Sequence, residues 1–462
     1  MTVTLLDTTL REGELYRVLR LPVKISIARA LLNIGLRRIE LTLAYPPRTS
    51  PEDLKKLVSL LNDHGAETVI HCRACREDVE SVNEYDVWGI AVYMALSKIH
   101  VRHKFKVEER EELYRRFIDV VEFSRESGFN YIRTTIEDAS RIYLEEGLSE
   151  LVETINIVRG AGATIVSVPD TSGLMTPTIA RDFITDLKRC TSFPISAHFH
   201  NDYGYASANT IEAILAGVDE AHVSILGIGD RNGIADLYEV VAPLIDIHRI
   251  ELGIKRESLK DLYSTFSKLT GIRIPARHPL SREARTIRAG VHQSMTIKAP
   301  EGYIPYGKLR NDFSSPLYEI TPYISKRLIE EVLGDSHLDA GEIKRLTELI
   351  GSEAYKAGGK LSVRRLKQML SENMTSTARN KLNKLFDSEY AYFLLKIRLE
   401  SSKDDFFEEM SRWSEVEIIE EVYGSFDLLL LVRLNPGLEE FIKKLDMIFG
   451  RSIEKIDVLL VN

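Results

Sequence analysis

Two histidines spaced i, i+2, His198 and His200, stand in the run HFHND (198–202). On a strand that spacing turns both imidazoles to one face, where they can share a cation. An oxygen ligand from Glu12, opposite them, would complete a two-histidine, one-carboxylate site with open positions, able to act as a Lewis acid on a carbonyl. Further polar residues end short β-branched runs: Asp7 with Arg11 and Glu12, Glu40 with Thr42, His71 with Arg73, Arg133 with Thr135 and Glu137, and Asp170 with Thr171. A ring of such side chains is hard to explain as packing and suits anion binding and proton transfer. The H-C-x-x-C run of His71, Cys72 and Cys75 has partial zinc-ligand spacing, yet adjacent strand residues face opposite ways and no fourth ligand is evident. GIGDRNG (227–233) lacks the Lys-Ser/Thr of a nucleotide loop and reads as a strand-to-helix turn.

Elements that could hold such a ring follow from the order of patterns. Candidate strands at 3–7, 37–42, 68–72, 87–93, 130–135, 164–168, 194–199 and 221–226 alternate with amphipathic helical stretches. Eight β/α units predict a closed (β/α)8 TIM barrel over 1–275, with its chemistry at the C-terminal ends of the strands. An open doubly wound sheet is the alternative, disfavoured because no G-x-G-x-x-G follows the first strand. Glycine-containing entries such as NIGLRRIE and GAGATIVS place helix C-caps just before strands. Over 276–387 the alternation gives way to Pro/Tyr-rich sequence and helical stretches near 324–334, 339–356 and 362–386, a linker and helical subdomain. The tail, 388–462, has the βαββαβ order of a ferredoxin-like domain, and the fold class is α/β overall.

With 462 residues, 61 Lys+Arg, 69 Asp+Glu, a net charge of −8 and 44% apolar residues, the composition is that of a globular protein with a large core. The acidic balance and lack of a Lys/Arg run argue against nucleic acid, and no run of eighteen apolar residues predicts a membrane span. Three cysteines do not make a disulfide framework, and the N-terminus is charged where a signal peptide would be apolar. A cytoplasmic location is expected. Gln293 and Gln368 are the only glutamines, a thermophile-like bias alongside 28% charged residues.

Taken together and in this order, DTTLREGE (7–14), PDTSG (169–173), HFHND (198–202) and LGIGDRNG (226–233) resemble the DRE-TIM metallolyase group of acyl-CoA Claisen enzymes. Within the group, RIELT (38–42), HCRA (71–74), RTTIED (133–138) and AGVHQS (289–294) are most similar to homocitrate synthases, rather than to isopropylmalate or citramalate synthases. The likeness covers about residues 1–385, and the tail resembles RAM/Lrp-type amino-acid effector domains. The resemblance implies an acyltransferase condensing acetyl-CoA with 2-oxoglutarate to homocitrate and CoA, the first step of lysine biosynthesis by the α-aminoadipate route. It implies that Glu12, His198 and His200 hold a divalent metal, Mg or Mn with Zn as a further option, and that Arg11 polarises the keto oxygen. Arg133, Thr135 and Thr171 would bind the 2-oxo acid, with Glu40 and His71 lining its distal end. His292 would be the general base, Tyr303 its assistant, and Glu137 a further catalytic carboxylate. That base segment is expected to reach a partner subunit, hence a homodimer or higher homo-oligomer, with lysine as effector at the tail. Leu15 stands where the family usually has Gln. Related 2-isopropylmalate or citramalate synthases, a metal-dependent aldolase or lyase, and a non-catalytic amino-acid sensor are the alternatives.

Overall fold

A computed structural model describes the chain except residues 1–2, 46–48, 108–109, 305–316, 335–337, 372–374, 387–388, 435–436 and 462. It divides into two compact units, Met1–Leu262 and Tyr263–Asn462. The first is a closed barrel of eight parallel strands in chain order: β1 (Thr4–Asp7), β2 (Arg38–Thr42), β3 (Glu67–Arg73), β4 (Gly89–Ala95), β5 (Tyr131–Glu137), β6 (Ile165–Asp170), β7 (Ile195–Phe199) and β8 (Glu220–Val223). Closure comes from β8 pairing with β1 in the register Thr4 to Glu220 through Asp7 to Val223, which excludes the open sheet. Every expected strand is found, with its ends displaced by at most three residues.

Short αβ loops turn each helix back into the barrel, and left-handed backbone makes that possible. Gly162 caps Leu148–Ala161 at φ +110°, its N–H donating to Arg159 O. Gly35, at φ +98°, lies so close to the Gly253 carbonyl that a Cβ would come within 2.4 Å of it. Val69, Ala91, Ile165 and Leu6 from four strands form one apolar layer with Tyr131. Arg38 sits in that end of the barrel with its guanidinium 4.6 Å from the Trp88 ring and bonded to buried Glu220 at 2.6 Å.

The second unit holds two separate apolar clusters. One gathers Tyr318, Ile320, Leu328, Val332, Ile350, Leu366, Leu382 and Phe386 around helices Lys326–Leu333, Ala340–Lys356, Val363–Met369 and Ser376–Leu385. The stretch expected to be helical over 362–386 is therefore two helices, the second begun by Thr375, whose hydroxyl accepts the Ala378 N–H. Thr286–Ile287 (β9) pairs with Leu317–Tyr318 (β10) in a small sheet beside it. The other cluster, Phe393, Phe406, Trp413, Leu430, Phe441 and Leu445 among it, lies under β11 (Tyr390–Ile397), β12 (Val416–Glu421), β13 (Leu428–Arg433) and β14 (Ile453–Val461). These strands pair antiparallel in the order β12-β13-β11-β14, with a helix following β11 and another following β13, the ferredoxin-like arrangement. The sequence boundary at 387–388 falls outside the described residues. Among the described residues no helix is long and apolar enough to cross a membrane.

Candidate active site

Alternation along a strand sends every second side chain inward, and at the C-terminal ends of the barrel strands those side chains surround a cavity of about 380 Å³. Arg11, Glu12, His71, Arg133, Thr135, Glu137, Thr171, His198 and His200 line it. Glu40 lies beneath, fully buried, and ties the ring together. Its carboxylate accepts Arg11 Nε and Thr8 Oγ1 at 2.6 and 2.7 Å and pairs with Arg133. Burial alone would raise its pKa, but Arg11 and Arg133 hold it well below the usual carboxylate range. Two guanidiniums are thus fixed side by side by one anion, with Arg11 also paired to Glu12.

A second buried carboxylate supports Arg133 from below. Glu220 takes Arg38 Nη1, Ser196 Oγ, Tyr131 Oη and His222 Nε2, the last at 3.1 Å, while His222 Nε2 meets Arg133 Nη1 at 2.9 Å. His222 in turn lies with its Nδ1 3.2 Å from His198 Nδ1. Neither Glu220 nor His222 was evident from the sequence, although their i, i+2 spacing on β8 repeats that of His198 and His200. Also unforeseen are Tyr93, stacked on His71 at 4.8 Å with planes 3° apart, and Lys104. Lys104 belongs to a π-helical turn, Val101–Phe105, and its ammonium grips both oxygens of Glu137 at 2.7 and 2.9 Å. On the neighbouring wall Asp78 accepts the Arg73 guanidinium and the Tyr45 hydroxyl.

Several strand-end residues hold backbone in place. Asp170 accepts the N–H groups of Leu174 and Met175, and Asn201 caps the helix that starts at Ala206. Asp202 pairs with Arg231 at 2.8 Å. The loop GIGDRNG, read from sequence as a plain turn, folds as a latch against the first loop: Asp230 N–H donates to Glu12 Oε1, and a Cβ on Gly229 would meet Glu12 Cγ at 2.9 Å. Thr171 Oγ1 accepts the Asp138 N–H, whereas Thr135 Oγ1 is buried with no hydrogen-bond partner among the described residues. Cys72 is buried, with its thiol pushed well up by burial, and among the described residues no group of three His, Cys, Asp or Glu gathers around the Cys72 and Cys75 pair.

The donors for a divalent metal lie in the same cavity. His198 and His200 lie with ring centroids 5.0 Å apart, edge to face, and His200 Nδ1 is buried without a partner. Burial lowers the pKa of both, most strongly for His198, keeping them in the neutral form that binds metals. Among the described residues no three His, Cys, Asp or Glu groups are gathered as a finished cage, because Glu12 turns one oxygen to Arg11 and the other to a backbone N–H. The donor types nevertheless fit: two neutral imidazoles, one with an orphan nitrogen, and a carboxylate in the same polar cavity.

In the second unit, His292 on the helix Gly290–Lys298 stacks on Tyr303 with centroids 4.0 Å apart, both exposed. The two residues expected to act together are thus in contact.

The profile of a family described as HMGL-like matches residues 2–265. Among curated relatives, a probable 2-isopropylmalate synthase of Methanopyrus kandleri is 35% identical over 310 residues, covering 66% of this chain and 60% of the relative. A homocitrate synthase of Sulfurisphaera tokodaii is 32% identical over 345 residues, covering 72% of each. The chain spans only about 60% of the length of the first of these. Among solved structures, the HMG-CoA lyase of Bacillus subtilis aligns with TM-score 0.52 at 20% identity, over 60% of this chain and 96% of that one, a likeness of fold.

Proposed function

Because the chain belongs to the HMGL-like family, we propose that it is an acyl-CoA condensing enzyme that joins acetyl-CoA to a 2-oxo acid, with 2-oxoglutarate the substrate and homocitrate and CoA the products. The observation that carries this reading is the pair Arg11 and Arg133, braced side by side over Glu40 at the floor of a 380 Å³ cavity that also presents His198 and His200. That volume suits a small dicarboxylate and the acyl end of a thioester.

Glu12, His198 and His200 would hold the divalent metal, which when bound supplies electrophilic polarisation of the keto oxygen. Arg11 donates to the same oxygen as negative charge develops there, and Arg133, Thr135 and Thr171 orient the 2-oxo carboxylate. His292, aided by Tyr303, removes a methyl proton from the thioester; the new carbon–carbon bond forms at the keto carbon, and the keto oxygen takes up a proton. Water then cleaves the thioester to release CoA. Glu137, held by Lys104, is placed to accept or return a proton at the rim. His292 and Tyr303 serve the cavity of a second copy, so the working form is a dimer or larger. Lysine is the proposed effector of the tail domain.

His71 favours 2-oxoglutarate: it lines the cavity and burial keeps it neutral, so it can donate one hydrogen bond to a distal carboxylate. Leu15 supports a second reading, a 2-oxoisovalerate condensation, since it puts an apolar side chain on the cavity wall. Thiol release from acetyl-CoA, assayed across 2-oxoglutarate, 2-oxoisovalerate and pyruvate with Mg or Mn, separates them. Highest kcat/KM on 2-oxoglutarate is expected; highest on 2-oxoisovalerate would select the second reading.

A further inference from the structure

The helices Val363–Met369 and Ser376–Leu385 carry six cations, Arg364, Arg365, Lys367, Arg379, Lys381 and Lys384, and no acid. In a chain of net charge −8 this is a local reversal. Leu366, Ala378 and Leu382 bury one side of the pair in its apolar cluster or core. The opposite side is concave, a cavity of about 490 Å³ lined by Arg364, Lys367, Gln368, Ser371, Arg379 and Asn383. Positions 364, 367 and 368 share one face of the first helix, Ser371 follows its end, and 379 and 383 share one face of the other helix.

Several other exposed cations in this unit are answered by acids, Lys326 by Glu330, Lys344 by Glu348, Lys356 by Glu353 and Arg412 by Glu408. In these two helices Arg365 reaches Glu353 and Lys381 reaches Glu331. Arg364, Lys367 and Arg379, the three cations that line the cavity, pair with no carboxylate among the described residues. Three like charges converging on one hollow repel each other, and an ordinary solvated helix face would intersperse acids among them. Carboxamides at 368 and 383 and a hydroxyl at 371 add uncharged donors.

We propose that this groove binds the phosphate groups of a small organic phosphate, a nucleotide or the phosphorylated end of CoA. Two arginines offer paired N–H donors to phosphate oxygens, and Lys367 adds a point charge. The site stands on the second unit alone and does not depend on the condensation chemistry.

The test is calorimetric titration of the full chain with pyrophosphate, CoA and dephospho-CoA, for the unmodified protein, the double variant Arg364→Gln/Arg379→Gln and the conservative Arg379→Lys. Melting temperature controls for folding, which exposed positions should leave unchanged. Saturable pyrophosphate binding is expected, weakened roughly a hundredfold in the double variant, about tenfold per cation, and less in Arg379→Lys. If CoA binding falls more than dephospho-CoA binding, the 3′-phosphate is the group held; if pyrophosphate alone is affected, the ligand is a separate phosphate compound. Equal affinities in the unmodified and double-variant proteins, or no phosphate binding while a single-stranded oligonucleotide binds, would overturn the proposal.

Discussion

Substrate choice at the scale of single residues turns on His71. Replacing it with Leu should cost about 1.5–3 kcal/mol of transition-state stabilisation on 2-oxoglutarate and much less on 2-oxoisovalerate, read from kcat/KM for both. Equal losses would remove His71 from the choice. For the metal, single alanine variants of Glu12, His198 and His200 should lose bound Mn and activity while keeping their melting temperature; a folded His198/His200 double variant that still bound one equivalent would end the ligand assignment. Below these residues, Glu220 sets an acid limit. Burial would raise its pKa, yet His222, Arg133 and Arg38 bring it down to about 2. A carboxylate depressed from an ordinary 4.5 contributes about 3 kcal/mol that is present above that value and lost as pH falls toward 2. Denaturant titrations of Glu220→Gln and the unmodified protein should therefore differ by most at neutral pH and converge near pH 2. What the sequence revealed at this scale were the residues with chemical names: ten of the cavity's side chains, Thr42 among them, could be picked from strand ends. Glu220 was missed because it lies one residue before the expected strand 221–226, His222 because it lies inside that strand rather than at its C-terminal end, and Lys104 because nothing in VRHKF announces a π-helical turn.

Elements explain why those side chains meet. Parallel strands deliver their C-terminal ends to one rim, so alternation and chain order suffice to bring the candidate side chains to one cavity. The loops were less legible, since their work is done by backbone. GIGDRNG lacks the residues of a phosphate loop, and its role rests on Asp230 N–H reaching Glu12 and on Gly233, at φ +81°, whose Cβ would lie 1.9 Å from the Gly227 carbonyl. Gly233→Ala should destabilise the chain by about 1–3 kcal/mol and lower activity through displaced Glu12, measured by denaturant unfolding and by Mn affinity. Unchanged metal affinity would detach the loop from the site. The expected helical stretch 362–386 is helical but divided, the second helix beginning at a Thr375 cap whose backbone signal a side-chain pattern does not carry.

At the scale of the whole molecule, separate apolar clusters in the second unit account for the change in pattern along the sequence, from alternating β/α units to helices and then βαββαβ. The tail beyond Phe386 has its own core and carries none of the candidate site residues. Ending the chain there should leave condensation within about threefold of the full chain while abolishing inhibition by lysine; sensitivity that survives truncation would assign the effector to the barrel. Both expectations depend on the chain forming a carbon–carbon bond, and that is open to direct observation. Methyl-labelled ¹³C-acetyl-CoA, 2-oxoglutarate, Mn and the full chain should yield the label as a methylene carbon of the tricarboxylate homocitrate, the methyl having lost one proton, seen by NMR together with one equivalent of free CoA. Label remaining in acetyl-CoA, or released only as acetate, with every 2-oxo acid tried would contradict the condensing role of the barrel.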